Sequence, residues 1–129
     1  MESFTVSTTL PTTPEEIYNA WLSSEGHTAM TGSPAVVAPE NGGVFKAWDG
    51  YIWGKTLEME PNSCILQAWR TSEFPESSPD SRVEIKLEES NGETRITLIH
   101  SDIPDGQEDN YKQGWEDFYF TPMRAYFST

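Results

Sequence analysis

Residues 42–54 read GGVFKAWDGYIWG, and this stretch decides the fold. The pair Asp49-Gly50 within it is a strong signal for a tight turn between two antiparallel strands. A second aromatic stretch, GWEDFYF at residues 114–120, has the spacing of a helix. An antiparallel sheet wrapped around one long helix with an aromatic face forms a container. The two stretches therefore predict an architecture and leave open what the container holds.

Alternating apolar residues predict further strands on both sides of this stretch. Residues 4–10 and 83–87 alternate with a period of two, as expected for strands with one buried face. Residues 64–70 and 95–100 complete the series, and Asn91-Gly92 predicts a second tight turn. Consecutive strands joined by short turns form an antiparallel meander.

The strand that returns after the Asp49-Gly50 turn must direct one face towards the core. Strict alternation favours the face that carries most of the aromatic and aliphatic side chains. The residues expected on this inner face are Tyr51, Trp53, Lys55, Leu57 and Met59. The residues expected on the outer face are Ile52, Gly54, Thr56 and Glu58.

Two short helices are predicted after the first strand. Thr13 has the character of an N-cap, Pro14 suits the first helical position, and Glu16 completes a capping box. Ser24 is expected to cap a second short helix over residues 25–30. These helices separate the first strand from the meander.

A long helix is predicted over about residues 107–127, where the apolar residues change to helical spacing. Pro122 cannot donate to the carbonyl of Phe118 and should kink the axis, whereas Gly114 costs about 1 kcal/mol relative to Ala. We therefore predict an α+β helix-grip fold with a single domain over residues 1–129. In this fold an antiparallel six- to seven-stranded sheet wraps around the C-terminal helix.

The chain is strongly acidic, with a net charge of −13. Nucleic acid and anionic membranes would repel it, so neither is an expected partner. A well-solvated acidic surface explains the charge, and a basic protein partner is the alternative. The single cysteine, Cys64, cannot form an internal disulfide, which fits a reducing compartment. Because the sequence shows no signal peptide and no apolar run of membrane-spanning length, we expect a cytoplasmic monomer or weak dimer.

No residue pattern indicates a metal site or a catalytic site. His27, His100 and Cys64 stand far apart, without the paired spacing of a zinc site or of a nucleophile beside its base. We therefore expect no cofactor, no metal ion and no enzymatic activity. His100 is expected to be a hydrogen-bonded or exposed residue at a strand end, and Cys64 is expected to be a small buried or half-buried apolar residue.

The aromatic residues form the candidate site. Plain core packing explains them as well as a ligand cavity does, because large rings can fill a small domain. A lysine among them could bind an anionic head group at the cavity mouth or extend into solvent, and a methionine could form a mobile lip. The residues expected to line a cavity are Met30, Trp48, Tyr51, Trp53, Lys55, Trp69, Trp115, Phe118, Tyr119 and Met123.

Several ordered motifs resemble those of one known family. They include FTVS at residues 4–7, IYNAW at 17–21, HTAMTG at 27–32 and WDGYI at 48–52, together with the two stretches quoted above. On these motifs the chain resembles the C-terminal-domain-like branch of the activators of heat-shock-protein-90 ATPase. That branch belongs to the START and birch-pollen-allergen superfamily (SRPBCC), and the resemblance covers essentially the whole chain.

The resemblance implies a helix-grip fold with a cavity between the sheet and the C-terminal helix. Relatives in this superfamily often hold apolar ligands, so the first hypothesis is a non-enzymatic protein that binds a small apolar or amphipathic molecule. The family implies a second hypothesis, an accessory protein that binds a heat-shock-protein-90 homologue. Its full-length eukaryotic members carry a further N-terminal domain that supplies much of the chaperone contact. An enzyme with its active site in the cavity is the third hypothesis.

Overall fold

Seven antiparallel strands wrap around a C-terminal helical segment in the computed structural model, which describes residues 1–128. The strands are β1 (Glu2–Leu10), β2 (Val36–Val37), β3 (Val44–Ala47), β4 (Ile52–Glu60), β5 (Cys64–Thr71), β6 (Ser81–Ser90) and β7 (Glu93–Ile103). Two short helices, α1 (Pro14–Trp21) and α2 (Ser24–Thr31), follow β1. The C-terminal segment comprises α3 (Glu108–Trp115), a π-helical turn (Glu116–Phe120) and α4 (Thr121–Phe127). The predicted helix-grip fold is confirmed.

Strands β2 to β7 form an antiparallel meander, and β1 adds to the sheet beside β7. The strand order is β1-β7-β6-β5-β4-β3-β2, and every neighbouring pair is antiparallel. Alternate residues of each strand face the helical segment and are buried there, as Val83, Ile85 and Leu87 show in β6. The core therefore lies between one face of the sheet and the C-terminal helical segment.

The caps of the two short helices follow the sequence with two corrections. The Thr13 hydroxyl accepts from the backbone N–H of Glu16 at 3.3 Å, as predicted, but the Glu16 carboxylate accepts from the Thr12 hydroxyl, so the predicted capping box is half formed. The N-cap of α2 is Ser23, which accepts from Gly26 N–H at 3.0 Å, so the prediction of Ser24 is wrong by one residue. The Ser24 hydroxyl instead accepts from Val37 N–H at 2.8 Å and fastens α2 to the edge strand β2.

The predicted inner face of β4 is wrong over its first half. Ile52 and Thr56 are buried opposite Thr71 and Gln67 of β5, whereas Trp53 faces outwards. The register shifts between Thr56 and Glu58, so a β-bulge changes which alternate residues face inwards. After the bulge Met59 lies opposite buried Ile65, as expected. A strict period of two cannot reveal a bulge, because the extra residue leaves no mark in the hydrophobic pattern.

The C-terminal helical segment is interrupted before Pro122. At the end of the π-helical turn the N–H of Thr121 donates to the carbonyl of Glu116, five residues earlier. An extra residue in this turn widens the helix where the proline ring would otherwise meet the carbonyl of Phe118. Tyr119 and Met123 remain buried against the sheet on either side of the irregularity.

Candidate functional site

An apolar cavity of about 370 Å³ lies between the sheet and the C-terminal helical segment. Three of its lining side chains are each about 3% exposed and form what we call the floor: Trp69, Trp115 and Tyr119. Three more are half-buried or exposed and form what we call the rim: Trp48, Tyr51 and Phe118. These six residues were predicted to line a cavity, and the structure brings them together around one.

The other four predicted residues lie elsewhere. Met30 and Met123 are fully buried in the core, so Met30 is not a mobile lip. Trp53 and Lys55 project from the outer face of β4, because the bulge reverses the expected alternation. Neither of them can contact a molecule in the cavity.

Four lining residues were missed: Ile52, Asn110, Tyr111 and Gly114. Asn110 and Gly114 are four residues apart on α3 and therefore share a helix face. The sequence could have indicated this pair, because Phe118 follows Gly114 by another four residues and was itself expected to line the cavity. Ile52 would have followed only from knowledge of the bulge in β4.

Trp48 reaches the cavity from an unusual turn. Trp48 and Asp49 both have positive φ, 53° and 56°, which costs non-glycine residues on the order of 1 kcal/mol each. The turn sets the Trp48 ring edge-on to Phe118, with 5.2 Å between the centroids. Its indole N–H is buried and makes no hydrogen bond within residues 1–128. The indole still lies close to the Tyr119 hydroxyl, where it partly offsets the increase in the Tyr119 pKa that burial causes. Strain of this kind persists where surrounding contacts hold a side chain in place.

The hydroxyl groups of Tyr51 and Tyr111 form hydrogen bonds with other side chains of this chain. Tyr51 donates to Glu73, and Tyr111 donates to Gln107 at 2.6 Å while Thr71 lies 2.7 Å from the same oxygen. Burial raises the pKa of Tyr51 and raises that of Tyr111 to about 12. Both phenols are therefore neutral at physiological pH and present their rings to the cavity.

His27 holds Tyr119 of the floor in place through a hydrogen bond. Its Nδ1 lies 2.9 Å from the carbonyl oxygen of Trp21, and its Nε2 lies 2.8 Å from the Tyr119 hydroxyl. Because a carbonyl can only accept, Nδ1 carries the proton and Nε2 accepts from Tyr119. Burial lowers the pKa of His27 and raises that of Tyr119, so both stay neutral. Helix α2 is thus bonded to the C-terminal segment through the floor.

His100 anchors the other side of the floor. The indole N–H of Trp115 donates to His100 Nδ1 at 3.1 Å, so the proton of the neutral ring sits on Nε2. Nε2 donates to the Ser81 hydroxyl at 2.8 Å, and Ser81 donates to the carbonyl of Trp69 at 2.7 Å. The chain of bonds joins two floor residues through one fully buried histidine, whose pKa burial lowers to about 3. The hydrogen-bonded alternative expected for His100 is therefore correct, but the residue lies inside β7 and is fully buried instead of standing at a strand end.

The Ser81–His100 pair has the separation of a nucleophile and its base but the wrong polarity. A general base must accept the serine proton, whereas here His100 donates to Ser81 and the serine proton goes to Trp69. Both side chains are fully buried, away from any substrate. The pair supports the floor and has no arrangement for acyl transfer.

Within residues 1–128, no three His, Cys, Asp or Glu side chains are grouped so as to hold a metal ion. None of the helices formed by these residues is long and apolar enough to cross a bilayer. Cys64 is half-buried, as expected, and burial raises the pKa of its thiol.

With the fold and the cavity described, comparison with known proteins gives the family. The family model for the "Activator of Hsp90 ATPase homolog 1-like protein" matches residues 11–128. The chain belongs to this family. The resemblance inferred from the motifs is therefore confirmed.

The curated relatives of this Hsp90-activator family member are longer proteins. The human activator of 90 kDa heat shock protein ATPase homolog 1 is 30% identical over 123 residues. This match covers 95% of the chain but 36% of the human protein, so the chain spans about a third of that relative's length.

Solved structures show the same fold. An HSP90 activator from Plasmodium falciparum superposes with a TM-score of 0.89 at 24% identity, covering 97% of this chain and 95% of that one. The structure of Ara h 8.0201 superposes with a TM-score of 0.74 at 16% identity, covering 99% of each chain. At these identities the likeness establishes the helix-grip architecture only.

Proposed function

We propose that this family member is a non-catalytic binding protein that holds a small, largely apolar molecule in the cavity between its sheet and its C-terminal helical segment. The cavity itself carries the proposal, because its volume of about 370 Å³ falls within the range of about 300–1,000 Å³ of ligand pockets. The buried floor supplies a rigid apolar surface, and the exposed Phe118 of the rim gives the cavity an opening. The reversed polarity of the Ser81–His100 pair supports a non-catalytic role.

The lining indicates an uncharged ligand. None of the side chains within residues 1–128 that line the cavity is charged, and an ion placed there would lose its hydration without gaining a partner. The head-group role expected for Lys55 has no support, because Lys55 lies on the opposite face of the sheet. Asn110 supplies a polar group that can fix the orientation of a ligand, while stacking on the indole rings favours flat molecules.

Tryptophan fluorescence tests this proposal. Trp48, Trp69 and Trp115 line the cavity, so a flavonoid or a polyketide-like aromatic compound that enters it should change their emission and raise the melting temperature. Trp48→Phe should reduce the ligand-induced change. Trp53→Phe removes a tryptophan from the outer face and is the matched control, which should leave the change intact. If no compound of a broad panel alters either signal, the hypothesis that the cavity binds a ligand is wrong.

A second proposal, action on a heat-shock-protein-90 chaperone, rests on the relatives. The human protein that matches 95% of the chain is described as an activator of that chaperone's ATPase. This chain spans only about a third of the human protein, so the activity of the whole relative is a hypothesis for this domain. The steering of such an association by the charge of −13 would weaken as salt rises.

The chaperone proposal is tested with the heat-shock-protein-90 homologue of the same organism. Its ATPase rate and its binding to the full chain should be measured at low and at physiological salt. An increase in ATPase rate that saturates with the chain would support the proposal. Absence of binding at concentrations on the order of tens of micromolar would contradict it.

A further inference from the structure

The outer face of the sheet collects most of the positive charge of this acidic chain. Eight Lys and Arg residues are present in the whole sequence. Buried residues alternate with outward-facing ones along each strand, and the outward positions of β3 to β7 include Lys46, Lys55, Arg70, Arg82, Lys86 and Arg95. The linear sequence hides this sorting, because the cations come from five different strands.

The strand register brings several of these cations beside exposed apolar residues. In one cross-strand row Val36 lies opposite Lys46, and Lys46 lies opposite Trp53. In the next row Val44 lies opposite Lys55. Lys55 lies opposite Ala68 of β5, and Ala68 lies opposite Arg82. We call this group the basic patch, and its residues are Val36, Val44, Lys46, Trp53, Lys55 and Arg82.

The three cations of the basic patch have no anionic partner in the part of the chain that the structure describes. The ion pairs formed within residues 1–128 do not include Lys46, Lys55 or Arg82. The neighbouring Arg70 is already paired with Asp80 at 2.8 Å, and its guanidinium lies 6.0 Å from the Trp53 ring centroid. The charge of Arg70 is therefore already paired, whereas the charges of Lys46, Lys55 and Arg82 remain available to a partner.

The apolar part of the patch is unusually exposed. Val36 and Val44 are 67% and 65% exposed, and the large Trp53 ring is 36% exposed. A partner would lie across this face and not extend the sheet, because the Ser24 hydroxyl already binds the backbone of Val37 at the β2 edge. Aromatic residues and arginines, here Trp53 and Arg82, are enriched in protein-binding surfaces.

We infer that the basic patch binds an acidic, extended polypeptide segment that carries at least one apolar side chain. Charge complementarity identifies the occupant, since the three cations are unpaired and share one face of the sheet, whereas the net charge of −13 confines an acidic partner to that face. The patch crosses five strands, about 20 Å, which an extended segment of about six residues spans. A nucleic acid carries charge along its whole length and would continue onto the acidic remainder of the surface. The inference does not depend on what the cavity holds.

A short fluorescein-labelled peptide with two Leu residues among its Asp and Glu residues tests the inference by anisotropy with the full chain. The double variant Lys46→Glu/Lys55→Glu should weaken binding at least about tenfold. The control Lys86→Glu/Lys112→Glu produces the same net charge and should weaken it less than about threefold, because neither residue lies in the patch. Val44→Ser, which changes no charge, should also weaken binding. Melting temperatures of all variants should show that each is folded.

Four results would overturn the inference. Equal loss in both double variants would mean that only net charge matters. Peptide-induced amide shifts outside β2 to β6 would place the site elsewhere. An oligonucleotide that binds more tightly through the same lysines would change the class of partner. Self-association abolished by Lys46→Glu/Lys55→Glu, without peptide binding by the parent chain, would make a second copy the occupant.

Discussion

The floor and the rim of the cavity use the same kinds of side chain but hold them in different ways. Trp115 and Tyr119 of the floor are buried and hydrogen-bonded to buried histidines, His100 and His27. Phe118 of the rim is 54% exposed and contacts Trp48, which rests on a strained turn. The difference separates two roles: substitution in the floor should cost stability, whereas substitution in the rim should cost ligand affinity.

The largest effect is expected at the floor. Trp115→Ala should destabilise the protein by about 3–5 kcal/mol, because it leaves a cavity and removes the donor to His100 Nδ1. Trp115→Phe keeps most of the ring volume and loses the N–H, so it should cost about 1–3 kcal/mol and report the hydrogen bond. Urea unfolding measures both. A midpoint unchanged by Trp115→Ala would remove the distinction between floor and rim.

The second effect is a pH dependence that belongs to the floor. Burial lowers the pKa of His27, and that of His100 to about 3, whereas an unfolded histidine has a pKa of about 6.5. Below pH of about 6.5 the unfolded chain binds protons that the folded chain does not, so stability falls as the pH falls towards about 3. For His100 this loss is about 2 kcal/mol at pH of about 5.

Urea unfolding between pH values of about 7 and 5 measures this dependence. The double variant His27→Gln/His100→Gln should flatten it, whereas the rim variant Phe118→Ala should keep the slope of the parent chain. Slopes are compared because glutamine also changes the packing at each site. An undiminished slope in the double variant would show that the buried histidines do not govern the acid sensitivity.

The sequence predicted the fold and much of the cavity lining, for a local reason. The spacing of Trp115 and Tyr119 places them on one face of a helix, and the Asp49-Gly50 turn carries Trp48 towards it. Whether these residues bind a ligand stays a prediction. Trp53 was misplaced because a bulge several residues away reverses the alternation of β4.

The histidine anchors could not be predicted from local pattern. His27 meets Tyr119 across 92 positions of the chain, and His100 meets Trp115 from a different secondary-structure element. Such pairs depend on how the helices settle on the sheet. The sorting of cations onto the outer face was hidden in the same way, since the net charge of −13 indicated a solvated acidic surface or, alternatively, a basic partner.

The third effect concerns affinity at the rim. Phe118→Ala should weaken binding of an aromatic ligand about tenfold, because it removes a ring from the cavity opening. Its effect on unfolding should stay below about 1 kcal/mol, since Phe118 is mostly exposed. The matched control is Phe120→Ala, which truncates a buried ring two residues away and should cost about 3–5 kcal/mol. Similar unfolding energies for the two variants would contradict the division.

The smallest effect has opposite signs for stability and binding. Gly114 lies within α3 and lines the cavity, and an added Cβ would meet Phe118 Cδ2 at 3.9 Å, an ordinary contact. Gly114→Ala should therefore stabilise the helix by about 0.5–1 kcal/mol, because alanine loses less backbone entropy on folding. The same methyl group occupies space beside Phe118, so the affinity for a bulky ligand should fall. Gln113→Ala, on the exposed face one residue earlier, is the control and should leave affinity unchanged. A lower melting temperature for Gly114→Ala, or unchanged affinity for every ligand that binds the parent chain, would show that Gly114 does not shape the opening.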